Sequence, residues 1–229
     1  QDLNAKQYIL EVREREAEIR MLQSQINPHF LHNTLDNIYC IAQIEDIEPI
    51  EILTKSLSEM MRYSVNNKNM YATLAEEMHH VKAYVKIINI RYEDSIQLVF
   101  EISEELQKAC VVKLLLQPLV ENAVQHGIHD CMETGKIRMS IHKDGDDLEI
   151  IVSDNGAGMT QEMIRSVMAG KARNNGEDRY STGIAVGNVI DRLELYYKQK
   201  GLLTIESDGL GLGTSVHITL PVEVEGTSE

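Results

Sequence analysis

Two kinds of hydrophobic spacing divide this chain. Over residues 3–66, apolar side chains recur at intervals of three, four and seven, as they do on one face of an α-helix. Further along, short segments alternate apolar and polar residues in the manner of strands, with helical segments between them. A chain of this kind folds as a helical region followed by an α/β sandwich domain. We place the boundary in the polar segment 64–70, which gives domains 1–70 and 71–229.

The helical region is predicted to be a hairpin that pairs with a second copy. Residues 3–26 carry an apolar seam of heptad-like spacing among charged side chains, which is typical of a coiled coil rather than a solitary exposed helix. The helix is expected to continue to about Ile44. Pro49 breaks it, and a second amphipathic helix over 50–66 would pack against it antiparallel. Two such hairpins make a four-helix bundle, so we expect a homodimer.

Composition excludes several classes of function. The chain has 36 acidic and 22 basic residues, a net charge of −14 that would repel a phosphate backbone, so no nucleic-acid partner is expected. Its three cysteines form no metal-binding pattern and fit a reducing compartment. No apolar run approaches the roughly 20 residues that span a bilayer, and we expect no signal peptide. Because Gln1 stands in mid-helix character without a preceding methionine, a fragment of a longer protein is expected.

The second domain is predicted to be a mixed sheet with helices. Thr73 and Glu76 have the spacing of a capping box, which would open a helix to about Tyr92. Strands are expected at 95–102, at 136–143 and 147–153 as a hairpin, and within 201–209 and 214–222. Helices are expected at 113–127, ending at Gly127, and at 184–199, whereas residues 160–182 show little periodicity.

His29 is the first candidate for chemistry. It follows Pro28 inside a helical pattern, where a proline is costly, and Asn33 lies four residues further along the same helix face. An imidazole is substantially neutral near pH 7 and is then a nucleophile. For a lone histidine helix packing is the more common explanation, so the case depends on the rest of the chain.

Glu121 and Asn122 lie together on the largely apolar helix predicted at 113–127, with His126 at its end. Polar groups on such a helix are expensive to bury without partners. The amide oxygen of Asn122 would suit a hydrated cation such as Mg²⁺. Helix-end capping is the alternative explanation.

Two glycine-containing motifs extend the candidate site. Asp154 ends a strand just before Gly156 and Gly158, so its carboxylate could accept a hydrogen bond from an exocyclic amine such as that of adenine; a plain turn uses the same residue types. Residues 183–188 (GIAVGN) lead into a helix, an arrangement that binds phosphate through backbone N–H groups. Thr214 follows a glycine at the start of the last strand.

Taken in order, five segments resemble the LytS/YesM-type sensor histidine kinases. They are QINPHFLHNTL, LLLQPLVENAVQHG, DNGAGM, GIAVGNVIDRL and GTSVHITLP, and the likeness covers nearly the whole chain. The resemblance implies a phosphotransfer hairpin followed by a GHKL-type (Bergerat) ATP-binding domain. It implies ATP- and Mg²⁺-dependent autophosphorylation of His29, then transfer to an aspartate of a response regulator receiver domain. The parent would be a membrane receptor, of which this is the cytoplasmic portion, with its transmembrane and sensor region upstream.

The same resemblance implies roles for single residues. His29 matches the phosphoacceptor, Asn122 matches the Mg²⁺ ligand, and Glu121 is a candidate to polarise or accept a proton at the attacking group. Asp154 matches the adenine-binding carboxylate, and Asn33 is a candidate for a second, phosphatase role. The remaining cofactor-binding positions are His126, Gly156, Gly158, Gly183, Gly187, Asn188 and Thr214. Lid cations that could neutralise γ-phosphate charge, or be solvated surface charge, are Lys171, Arg173 and Arg179.

Three positions depart from the family pattern. His32 stands where an aromatic residue is usual, Val112 replaces a common proline, and Ala185 replaces the middle glycine of the lid motif. Alanine restricts φ relative to glycine, so lid closure or nucleotide affinity would be weakened. Two alternatives remain open: a GHKL ATPase or serine kinase for which His29 is dispensable, and a degenerate ATP-binding scaffold, which Ala185 favours.

Overall fold

A computed structural model describes residues 28–65, 69–92, 95–128, 134–169 and 182–221. The predicted coiled coil at 3–26 and the cations Lys171, Arg173 and Arg179 lie outside these residues. Backbone contacts divide the chain into two compact units, Gln1–Val65 and Asn66–Glu229. Within the described ranges, no helix is both long enough and apolar enough to cross a membrane.

The first unit is the predicted helical hairpin. Helix α1 (Pro28–Ile44) and helix α2 (Glu48–Val65) are joined by a turn in which Asp46 has a positive φ of 55°. Antiparallel packing is confirmed by the Tyr39 hydroxyl, which donates to Glu51 Oε1 over 3.2 Å near the turn. Helix α2 starts two residues before the predicted position because a proline is well tolerated in the first turn of a helix.

The hairpin leaves much of its apolar surface uncovered. Ala42 is its one buried hydrophobic side chain among the described residues, and the buried polar side chains of α2 are the small residues Thr54, Ser56 and Ser58. Large apolar side chains that remain exposed in this unit are Phe30, Ile38, Ile41, Ile44, Ile47, Ile50, Leu53 and Val65.

The described part of the second unit contains two sheets. Strands β1 (Tyr71–Thr73) and β3 (Cys110–Val112) form a short antiparallel pair. The main sheet has the order β2-β4-β5-β7-β6, in which β2 and β4 are parallel and all other neighbours are antiparallel. Its strands are β2 (Ile96–Ile102), β4 (Gly135–Asp144), β5 (Asp147–Asp154), β6 (Leu203–Glu206) and β7 (Thr214–Pro221). The predicted β-hairpin, formed by β4 and β5, and the two predicted final strands, β6 and β7, are thereby confirmed.

Among the residues described for this unit, four α-helices accompany the sheet. They are α3 (Leu74–Arg91), α4 (Leu116–Asn122), α5 (Gln161–Met168) and α6 (Thr182–Tyr197). A single apolar core includes side chains from all four helices and from one face of the sheet, among them Leu74, Leu116, Ile137, Ile150 and Leu193. The predicted mixed α/β domain is confirmed.

Two helix predictions need correction. The helix expected from residue 113 begins at Leu116, because Leu114 has a φ of 59° and residues 113–115 form a turn; the helix then continues as a π-helical segment, Ala123–Ile128. The prediction missed α5 altogether. It is only eight residues long, and its buried side chains are Ile164 and Val167.

Candidate functional site

The Asp154 carboxylate lies where β5 ends, paired in register with Thr214 at the start of β7. Its Oδ1 accepts a hydrogen bond from the Gly156 N–H over 2.8 Å. Burial raises the pKa of Asp154 to about 6, and backbone N–H groups of Gly156 and Thr214 oppose that rise. Burial dominates because the charged form loses more hydration than two hydrogen bonds restore. A half-buried acceptor thus stands at the predicted adenine-binding position.

The loop after Asp154 is locked to the loop between β6 and β7. The Gly211 N–H donates to Ala157 O over 2.7 Å and the Gly213 N–H donates to Gly156 O over 3.1 Å. At Gly158, with φ of 66°, an added Cβ would lie 2.0 Å from Gly209 O, so only glycine fits.

Ser207 joins the two loops from the inside. Its hydroxyl accepts from the Met159 N–H over 2.9 Å and donates to Gly213 O over 2.7 Å. No pattern in the sequence indicates this role, since a serine beside Asp-Gly is an ordinary turn residue. Gly156 and Gly158 therefore occupy a rigid loop beside the Asp154 carboxylate.

Asn122 is the last residue of α4 before the π-helical segment. Its side chain is buried, with 8% exposed, and its Oδ1 has no hydrogen-bond partner among the described residues. Burying an amide oxygen without a hydrogen-bond partner costs free energy, unless a ligand or a cation binds to it. The amide oxygen of Asn122 suits Mg²⁺, which takes oxygen ligands. His126 falls in the π-helical segment, and its side chain is not among the described ones.

Glu121 belongs to a polar chain between α3 and α4. The side-chain N–H of Gln117 donates to Glu121 Oε1 over 2.6 Å, and the side-chain oxygen of Gln117 accepts from Nε2 of His80. His80 is 2% exposed, and burial holds its pKa below the ordinary value. Burial also raises the pKa of Tyr84 to about 12, with a further contribution from the Glu121 charge. Glu121 is therefore held in a fixed orientation.

A cavity of about 500 Å³ lies between α4 and α6. Glu121 lines it from α4, and Ala185 and Asn188 line it from α6. Gly187 is buried in the same helix, and Gly183 falls in its first turn. Ala185 is thus a helical residue, a position at which alanine is favoured over glycine by about 1 kcal/mol.

The two neighbouring histidines of the first unit differ in their surroundings. His29 is exposed, and the Asn33 amide nitrogen lies 3.4 Å from each of its ring nitrogens, so this contact does not select one of them. His32 is half-buried against α2. Its Nδ1 lies 2.8 Å from Ser58 Oγ and its Nε2 lies 3.2 Å from an Arg62 guanidinium nitrogen.

The structure gathers the predicted residues of the second unit into two groups. Asp154, Gly156, Gly158 and Thr214 share one network of backbone contacts. Glu121, Gly187 and Asn188 belong to the two helices beside the cavity. Val112, which replaces a proline common in the family, is a buried strand residue paired with Tyr71.

Comparison with known proteins agrees with this architecture. Residues 17–96 match the histidine kinase family, and residues 111–224 match the family of histidine kinase-, DNA gyrase B- and HSP90-like ATPases. Sensor histidine kinase YesM of Bacillus subtilis is 32% identical over 211 residues, 92% of this chain and 34% of YesM. Sensor histidine kinase BtsS of Escherichia coli is 34% identical over 151 residues, 66% of this chain and 27% of BtsS.

One solved structure supports the fold alone. The catalytic domain of histidine kinase ThkA superposes with a TM-score of 0.50 at 17% identity, covering 66% of this chain and 96% of that domain. The chain belongs to the histidine kinase family. It spans about a third of the length of the curated relatives it matches. The ATPase family of its second unit implies that it binds ATP.

Proposed function

We propose that this chain is the phosphotransfer and ATP-binding portion of a two-component sensor histidine kinase. Residues 1–70 are the dimerisation and phosphotransfer region, and residues 71–229 bind ATP. His29 takes the γ-phosphoryl group of ATP and passes it to an aspartate of a response regulator. In the full-length protein this portion is the cytoplasmic region of a membrane receptor, with its sensor upstream.

The observation that carries this proposal is the contrast between His29 and His32. His29 is exposed on α1, whereas both ring nitrogens of His32 lie within hydrogen-bond distance of α2 side chains. A nucleophile must present a lone pair to the phosphorus atom, and a ring engaged on both sides must first break a contact to do so. His32 would have to break its contact with Ser58 or with Arg62, both on α2. The His29 ring is exposed at the helix surface, and the contact of Asn33 with it comes from the same helix.

Phosphoryl transfer depends mainly on alignment and charge neutralisation. One ring nitrogen of His29 forms the new N–P bond, the bond from phosphorus to the β,γ-bridging oxygen breaks, and ADP departs. The proton on the other ring nitrogen passes to a base, for which Glu121 is the candidate; Phe30, the next residue, has no acceptor. Mg²⁺ would offset triphosphate charge when bound, and the buried Asn122 oxygen is the group suited to hold it.

The adenine base is assigned to the Asp154 group. A carboxylate accepts from the exocyclic amine of adenine, and Gly156 and Gly158 allow the backbone to approach the ring closely. We assign phosphate binding to Gly183, Gly187 and Asn188 of α6, together with His126. Thr214 is assigned to binding of the adenine ring. Asn33 is the candidate to orient water when the kinase dephosphorylates its regulator.

The test is phosphorylation of the full chain with γ-labelled ATP and Mg²⁺. We expect acid-labile, base-stable label in wild type and in His32→Gln, but none in His29→Gln or Asn122→Ala. His79→Gln is the matched control, because His79 is an exposed helical histidine of the second unit. Acid-stable label in His29→Gln would indicate a serine kinase instead. Nucleotide binding without any label would indicate an ATP-binding scaffold, for which Ala185→Gly is the next variant.

A further inference from the structure

The turn between β3 and α4, Lys113–Leu115, is held from two sides by charged side chains far away in the sequence. From α3, Glu77 Oε1 accepts from the Leu114 N–H over 2.5 Å. Its Oε2 accepts from the N–H groups of Leu115 and Leu116 over 2.8 and 2.9 Å. From α6, Arg192 donates to the carbonyls of Lys113 and, over 3.0 Å, of Leu114.

Both the burial of the Glu77 carboxylate and the backbone conformation of Leu114 cost free energy. Glu77 is 0% exposed, and a buried carboxylate is tolerated only when hydrogen bonds satisfy it. Leu114 has a φ of 59°, a left-handed conformation that disfavours leucine. Strained residues of this kind persist where their surroundings over-determine them, and they cluster at ligand sites.

Simple helix capping does not explain the cost. A local Ser, Thr, Asp or Asn at the N-cap would satisfy the same N–H groups cheaply. The N-cap of α4 is instead Leu115, which makes no side-chain cap. The chain uses one residue from each of the two neighbouring helices, so the turn fixes the position of α4 relative to both.

The helices joined here carry the two sides of the cavity. Glu121 and Asn122 lie at the far end of α4, and Asn122 is about 9 Å along the helix axis from Leu116. Arg192 is one helical turn beyond Asn188, so the two share one face of α6 beside the cavity. The Arg192 bonds to the turn thus set the separation of α6 from α4.

We propose that Glu77 and Arg192 are positioning residues that hold Asn122 in place for the metal-bound triphosphate. This inference rests on the proposed function, since it assigns Mg²⁺ to Asn122. Arg192 acts through the turn and not by contacting phosphate. Its fork donates to two carbonyls at once, which the single ammonium group of lysine does less well.

The test measures equilibrium binding of AMP-PNP to the full chain with and without Mg²⁺, beside hydrogen exchange of the nucleotide-free protein. In Arg192→Gln we expect faster exchange at the amides of Leu115 and Leu116. We also expect the Mg²⁺-dependent gain in affinity to fall at least tenfold, with affinity in EDTA unchanged. Arg192→Lys should recover part of the gain. Arg165→Gln, an exposed arginine on α5, should match wild type.

A double-mutant cycle decides the route. If Arg192 acts through Asn122, the Arg192→Gln/Asn122→Ala protein loses no more affinity than Asn122→Ala alone. Additive losses, or an equal loss in EDTA, would overturn the proposal and make Arg192 a direct phosphate ligand. Should Arg192→Gln fail to fold, Glu77→Gln, which keeps one acceptor oxygen, and Arg192→Lys carry the same comparisons. If Asn122→Ala retains the full Mg²⁺ gain, the Asn122 assignment itself fails, and this proposal with it.

Discussion

Replacing Asp154 by asparagine should stabilise the nucleotide-free protein at neutral pH while weakening its ligand site. Burial raises the pKa of this carboxyl from 3.8 to about 6. Between those values the folded state holds a proton that the unfolded state has released. The free energy of unfolding therefore falls as pH rises through this window, and the loss is complete above the folded pKa.

The magnitude follows from the shift. Each pKa unit corresponds to about 1.36 kcal/mol, so ionisation of Asp154 costs wild type about 2 to 3 kcal/mol between pH 4 and pH 8. Asparagine keeps the shape and an acceptor oxygen but does not ionise. The unfolding free energy of Asp154→Asn minus that of wild type should therefore increase by about 2 to 3 kcal/mol as the pH rises from 4 to 8.

Urea unfolding at pH 4, 5, 6, 7 and 8, followed by circular dichroism because the chain has no tryptophan, measures this difference. Other titrating groups cancel because they are common to both proteins. Asp147→Asn, at the exposed opposite end of β5, is the matched control. A difference that does not change with pH for Asp154→Asn would refute the reasoning. We expect ATP affinity to fall about tenfold in the same variant, because a hydrogen bond to a charged carboxylate is replaced by a weaker one to a neutral amide oxygen.

Three further substitutions test the local geometry. Gly158→Ala should lower the urea midpoint strongly, because the added Cβ would overlap Gly209 O. Gly145 has a similar φ but open space around it, so Gly145→Ala should lower the free energy of unfolding by only about 1 kcal/mol. Ser207→Ala should cost about 1 to 3 kcal/mol in urea unfolding and weaken nucleotide binding. Thr73→Ala should lower the melting temperature by loss of about 1 kcal/mol of capping energy, and an unchanged melting temperature would contradict the capping box.

Local signals were read correctly from the sequence. The capping box of Thr73 and Glu76 is present in both directions, and α3 runs to Arg91 as expected. The β4–β5 hairpin was recognisable because its turn chemistry and alternation lie within one short segment. The motifs around Asn122 and Asp154 were recognisable because their order along the chain is specific.

What the sequence did not predict depends on contacts between distant residues. Strands β1 and β3 have three residues each and pair across about forty positions, so neither shows a useful alternation. The true start of α4 is fixed by Glu77, whose partners lie 37 to 39 residues later. Arg192 reaches its carbonyl partners across 78 and 79 residues. No pattern within a short window contains this information.

The remote capping of α4 also imposes an order on folding. Helix α3 has its own capping box and can begin to form from local contacts. Helix α4 has seven α-helical residues followed by a π-helical segment of six, a stretch that is marginal alone, and its first N–H groups find their acceptor on α3. Closing that long loop must therefore precede or accompany formation of α4. Substitutions in α3 should slow refolding, whereas loss of Arg192 should mainly speed unfolding.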